Sequence, residues 1–198
     1  MKWLEMEQKL AACGLKLFTD KQFKEIVGCS ASAAKFMLIR CVKKGFLTRL
    51  KRGLYASPTR APSAWAVANR LRVPSYVSCS SALSYYGLIP ETVYAVGSIT
   101  TKSTREFKVN GAAYIYRSVR PGAFGHYRLE KIGGAPVLIA EKEKALADYF
   151  YFTYLDKAPL NERLRFHGIN EMKLKKYLNE FGNSALMRWY RDDCKRTD

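Results

Sequence analysis

Ser30-Ala31-Ser32-Ala33-Ala34-Lys35-Phe36-Met37-Leu38-Ile39-Arg40-Cys41-Val42-Lys43-Lys44-Gly45-Phe46-Leu47-Thr48-Arg49-Leu50-Lys51-Arg52-Gly53-Leu54-Tyr55-Ala56 is the stretch that decides the fold. Ala34, Met37, Leu38, Cys41 and Val42 recur at i, i+3, i+4, i+7 and i+8, the stripe of an amphipathic helix. Ser30 is a natural N-cap for it, and Gly45 follows its last turn near Lys44 as a stop. Beyond Gly45, Phe46 to Leu50 and Leu54 to Ala56 read as short strands around Lys51-Arg52-Gly53, which predicts a hairpin.

Upstream, Trp3, Leu4, Leu10 and Leu15 suggest a first helix ending near Gly14. Thr19 or Asp20 can cap a short second helix from Lys21 to Val27, closed by Gly28. Helix, helix, short turn, helix and basic hairpin is the order of a winged helix-turn-helix.

The far side of the third helix carries Ser32, Phe36, Ile39, Arg40 and Lys43, flanked by Lys35 and Lys44. Such a face suits a major groove. Cations neutralise phosphate or fork onto guanine, hydroxyls reach base edges, and apolar groups touch the thymine methyl. Arg49, Lys51 and Arg52 of the hairpin would lie along the neighbouring backbone or minor groove. The expected DNA contacts are therefore Ser30, Ser32, Lys35, Phe36, Arg40, Lys43, Lys44, Arg49, Lys51 and Arg52. The alternative is a merely solvated charged face, with Phe36 and Ile39 packed on a second domain.

Bulk composition agrees with a polyanionic partner. The 198 residues carry a net charge of +17, and an excess of this size attracts nucleic acid or an anionic surface. Residues 1–60 hold 13 basic and 4 acidic side chains, a net of +9, and residues 61–198 hold 21 and 13, a net of +8. The proline-bearing segment Ala56-Ser57-Pro58-Thr59-Arg60-Ala61-Pro62 reads as a linker, so a boundary is expected near residue 60. No apolar run approaches the ~20 residues of a membrane span, and Met1-Lys2-Trp3-Leu4-Glu5 lacks a signal-peptide layout. Cysteines at 13, 29, 41, 79 and 194 are odd in number and widely spaced, as in a reducing cytoplasm.

Residues 61–198 predict an α+β domain with a small antiparallel sheet and C-terminal helices. Pro62 opens a helix over residues 62–72. Pro74 to Ser78 reads as extended, and Ser78 or Ser80 caps a helix to Tyr86 that stops at Gly87. Val93 to Val96 and Ile99 to Thr101 look like strand. Arg105 to Val109 and Ala112 to Ser118 flank Asn110-Gly111, a type I′ hairpin signal. Ala135 to Ile139 is a further strand, Glu141 to Leu155 a buried helix, and helices near 170–181 and 183–194 end the chain.

Catalytic signatures are lacking, so no enzyme activity and no cofactor are expected. His126 and His167 have no partner at ligand spacing, and there is no Gly-x-Ser-x-Gly elbow, P-loop or dinucleotide fingerprint. Gly97-Ser98 is not followed by the acidic pair a nucleotidyltransferase needs for its metals, the next aspartate being Asp148. Glu141, Glu143 and Asp148 cluster, which keeps a DNA-processing nuclease open as a minor alternative to a role in capping.

Lys43 to Tyr55 resembles the wing signature of the AbiEi-type antitoxins. Tyr76 to Glu91 resembles the start of their second domain, and Ala140 with Glu143-Lys144-Ala145-Leu146-Ala147-Asp148 its later helix. The resemblance covers about residues 20–155. It implies the antitoxin of a type IV, AbiE-like toxin–antitoxin system, some of which give abortive phage resistance. Its winged helix would repress the operon at inverted-repeat DNA, and its C-terminal domain would neutralise a nucleotidyltransferase-like toxin encoded alongside. A solitary transcriptional regulator without a toxin is the alternative.

Overall fold

The computed structural model describes residues 3–194. The chain is of mixed α and β structure and divides into two compact units, residues 1–71 and 72–198.

In the first unit, α1 (Trp3–Ala12), β1 (Leu17–Thr19), α2 (Asp20–Val27) and α3 (Ala31–Lys43) precede a hairpin of β2 (Thr48–Lys51) and β3 (Leu54–Ala56). Local chemistry sets each boundary. Thr19 and Gln22 form a reciprocal capping box at the start of α2, satisfying two backbone donors that a helix end leaves bare. Gly28 ends α2 at φ +75°, a conformation that costs a side-chain-bearing residue energy. The Ser30 hydroxyl then accepts from the Ala33 amide to open α3. Only Gly28, Cys29 and Ser30 separate the two helices. Met6, Leu10, Phe18, Phe23, Val27, Ala34, Leu38, Cys41 and Leu47 form one buried core, so the expected stripe of α3 does face inward.

Strand β1 adds to the elements expected from the sequence. It pairs antiparallel with β3, Leu17 opposite Ala56 and Thr19 opposite Leu54, and makes a three-stranded sheet in the order β1-β3-β2. Three residues leave too short a run for periodicity to register.

The expected linker is a structured strap instead. Pro58–Arg60 form a 3-10 turn, and Ser57 is buried with its hydroxyl 2.8 Å from that of Thr59. Thr59 in turn donates to Glu7, and Arg60 reaches the Leu15 carbonyl. Helix α4 (Ala64–Leu71) consequently belongs to the first unit, and the division falls at Leu71/Arg72, not near residue 60. Two prolines restrict the backbone without excluding it from side-chain hydrogen bonds.

The second unit is built on a six-stranded sheet in the order β6-β7-β5-β4-β9-β8. Its strands are β4 (Tyr76–Val77), β5 (Val96–Thr100), β6 (Arg105–Val109), β7 (Ala112–Ser118), β8 (Tyr127–Ile132) and β9 (Ala135–Ala140). The small antiparallel sheet of the sequence expectation is corrected: β5 with β7 and β4 with β9 run parallel. Hairpins are written locally, whereas a parallel pair joins segments distant in sequence and leaves no short signal. Asn110 and Gly111 both take positive φ in the β6–β7 turn, at 50° and 76°, as expected. Gly133 and Gly134 also take positive φ, in the turn between β8 and β9. Val93 and Tyr94 lie outside strand β5.

Helix α5 (Cys79–Tyr85) packs on α6 (Lys142–Tyr154), which also meets α7 (Glu171–Asn179) and α8 (Ser184–Trp189). Helix α6 buries residues on most sides, including Lys144 and Asp148 with no exposed side-chain surface. Lys144 Nζ lies 2.8 Å from Asp148 Oδ1 and stands over the Phe181 ring. Asp148 Oδ2 accepts from the Ser78 hydroxyl at 2.7 Å and from Tyr76 at 3.2 Å. The carboxylate is thus hydrogen bonded twice on Oδ2, whereas the ammonium has its ion pair and the Phe181 ring to offset its burial.

Candidate nucleic-acid interface

Within the first unit, α2, α3 and the β2–β3 hairpin enclose a groove of about 550 Å³. Ala31, Ala34, Leu38 and Ile39 of α3 supply small or apolar lining. Around the rim stand five cations: Lys21 and Lys24 from α2, Lys35 from α3, and Arg49 and Arg52 from the hairpin. Asp20 is the carboxylate among the lining residues. Five like charges on one concave surface repel each other, and an anionic occupant would relieve that repulsion.

The groove brings together three of the expected contacts, Lys35, Arg49 and Arg52. Ser32, Phe36, Arg40, Lys43 and Lys44 are all exposed on α3 or at its C-terminus but do not line it. Phe36 is 72% exposed and Ile39 56%. Lys21 and Lys24 were missed. They are spaced i, i+3 on α2, away from buried Phe23 and Val27, and that pairing was the available signal.

Two of the expected contacts are already engaged. The Ser30 hydroxyl is the cap acceptor of α3. Lys51 Nζ donates to the Leu71 carbonyl at 2.8 Å and is half-buried. The hairpin register shifts beside it: Arg49 faces Tyr55, but Lys51 faces Leu54, the next residue along β3. Burial still alternates along β2, with Leu50 inward between exposed Arg49 and half-buried Lys51. Lys51→Ala is therefore expected to leave any salt dependence of nucleic-acid binding unchanged while lowering unfolding stability by about 1–2 kcal/mol, the loss of a charge-assisted hydrogen bond. Salt titration of binding beside urea denaturation separates the two effects. A fall of about one unit in the log–log salt slope would instead make Lys51 a phosphate contact.

In the second unit, the acidic cluster Glu141, Glu143 and Asp148 has structural partners. Asp148 is held by Lys144, Ser78 and Tyr76, while Glu143 Oε1 accepts from the Asn170 amide at the start of α7. Glu141 accepts from the Tyr177 hydroxyl. Burial pushes the Asp148 carboxyl above its ordinary range, against the pull of Lys144. His126 lies against Glu180 and stacks on Tyr177. No helix among the described residues is long and apolar enough to cross a membrane. Comparison with protein-family models and with curated protein sequences gave no match to this chain.

Proposed function

We propose that residues 1–71 are a winged helix-turn-helix that binds double-stranded DNA, and that the chain is the autoregulatory antitoxin of an AbiE-like type IV system. One observation carries the DNA-binding half: the cationic groove shared by α3 and the hairpin. Helix α3 enters the major groove, Arg49 and Arg52 lie along the adjoining strand, and the intervening phosphates occupy the groove where Lys21, Lys24 and Lys35 converge. The charge excess over residues 1–60 supports the same placement. Two copies occupy the halves of an inverted repeat, so the operator's symmetry mirrors that of the bound pair.

The antitoxin half rests on the resemblance of Lys43 to Tyr55, Tyr76 to Glu91 and Ala140 to Asp148 to the AbiEi-type family. Residues 72–198 carry neutralisation of a nucleotidyltransferase-like toxin, and the chain works in the cytoplasm without a cofactor.

The deciding experiment is binding of the purified chain to the DNA upstream of its own gene, against a scrambled duplex, through a salt series. Sequence-specific binding that survives near-physiological salt supports the regulator. Equal, salt-labile binding to both duplexes reduces it to a generic basic protein. Growth rescue by residues 72–198 from a nucleotidyltransferase-like toxin encoded beside it then tests the antitoxin assignment, and rescue by no form of the chain would leave a solitary regulator.

A further inference from the structure

Helix α3 presents an outward ridge of unusual composition for a solvated surface. At 100° per residue, Ser32, Phe36, Ile39 and Lys43 fall within about 60° of one another, opposite buried Ala34, Leu38 and Cys41. The ridge runs about 16 Å along the helix at 1.5 Å per residue. Its two central side chains are apolar, and more than half the surface of each is exposed. Lys35 flanks them on one side and Arg40 on the other, both exposed. An exposed phenylalanine beside an exposed isoleucine calls for an apolar partner, and the cations around them call for an anionic one.

We infer that Phe36 and Ile39 read thymine 5-methyl groups in the major groove, making the chain selective for thymine at defined positions of each half-site. The inference rests on the DNA-binding reading above and deepens it. Thymine is the base whose major-groove edge carries an apolar group, and it is framed by phosphates that Lys35, Arg40 and Lys43 can neutralise. A second copy of the chain is the competing occupant. Packing two α3 ridges face to face would bring Lys35, Arg40 and Lys43 of one copy against the same cations of the other, so charge favours DNA. The ridge is long enough to span about five base pairs at 3.4 Å each, which leaves room for one methyl contact from Phe36 and another from Ile39.

The test selects a tight-binding duplex from a random-sequence pool with the full chain, then remakes it with deoxyuridine at each thymine in turn. Deoxyuridine removes the methyl group and preserves charge and base pairing. One or two thymines per half-site should each lose about fourfold in affinity, the worth of one buried methyl-sized group. In Phe36→Ala or Ile39→Ala the loss at the corresponding thymine should vanish, and Phe36→Leu should retain part of it. Both residues are exposed, so these variants keep the fold. Equal binding of thymine and deoxyuridine duplexes by the unsubstituted chain would overturn methyl reading while leaving DNA binding intact. Failure to enrich or bind any duplex would overturn both. A dimer in solution that Phe36→Ala dissociates, with both duplexes bound alike, would assign the ridge to a second copy.

Discussion

Lys144→Met should destabilise the second unit by about 3–5 kcal/mol, because it leaves the Asp148 carboxylate buried without its counter-charge. The Ser78 and Tyr76 hydroxyls still donate to Asp148, but two neutral donors do not replace an ammonium 2.8 Å away. Adding Asp148→Asn to Lys144→Met should recover much of the loss, since it removes the stranded charge and keeps an acceptor for both hydroxyls. Urea denaturation of the single and double variants measures this directly. A cost below about 1 kcal/mol for Lys144→Met would mean that the pair does not organise the core.

Acidification provides an independent check with a definite sign. Burial already raises the Asp148 carboxyl above its ordinary value, and Lys144 is the strongest influence pulling it down. Removing Lys144 raises it further. The folded carboxyl then takes up a proton at a pH where the unfolded one remains ionised, so lowering pH favours the folded state. Its contribution is complete below the unfolded carboxylate value and is lost as pH rises towards the folded one. The deficit of Lys144→Met should therefore shrink between pH 7 and pH 5, by at most about 1.4 kcal/mol per pH unit. A deficit independent of pH would place its origin in packing against Phe181 instead.

The second large effect concerns the groove. Replacing Arg49 and Arg52 together with Ala should weaken DNA binding on the order of fiftyfold at ~0.1 M salt, and lower the log–log salt slope by nearly two units. Arg52 is exposed and Arg49 stands outward from the hairpin, so the fold should be unaffected. The loss should be similar on the preferred duplex and on a scrambled one, because phosphate contacts carry no base identity. Phe36→Ala should behave in the opposite way, altering sequence preference with little change in slope. Unchanged affinity and slope in the Arg49/Arg52 double variant would displace the DNA surface from this groove altogether.

Much of the first unit was legible because its signals are local. Thr19, Gly28, Ser30 and Gly45 mark helix ends by side-chain hydrogen bonding or left-handed backbone, and the α3 stripe marks the buried face. The exposed positions Ser32, Phe36, Ile39, Arg40 and Lys43 follow from that stripe by subtraction. Lys51 could not be placed in this way. Its apparent equivalence to Arg49 ends at the Leu71 carbonyl, 20 residues away in sequence, which accepts a hydrogen bond from Lys51. Likewise Ser57, Thr59 and Arg60 look like linker residues until Glu7 and the Leu15 carbonyl, far away in sequence, are brought within hydrogen-bond reach.

From the sequence by itself came the basic charge, the order of helices and hairpin in the first unit, the Asn110-Gly111 turn and the outward face of α3. Each depends on residues within a few positions of one another, where propensity, capping and periodicity act directly. Tertiary structure alone decided the β1–β3 pairing, the mixed sheet, the division at Leu71 and the convergence of Lys21, Lys24, Lys35, Arg49 and Arg52 on one groove. It also decided that Asp148, an acid with catalytic promise in the sequence, is bound to Lys144 within the core. Those features depend on segments many residues apart meeting in space, and that meeting is set by burial of the whole chain, which no short window of sequence records.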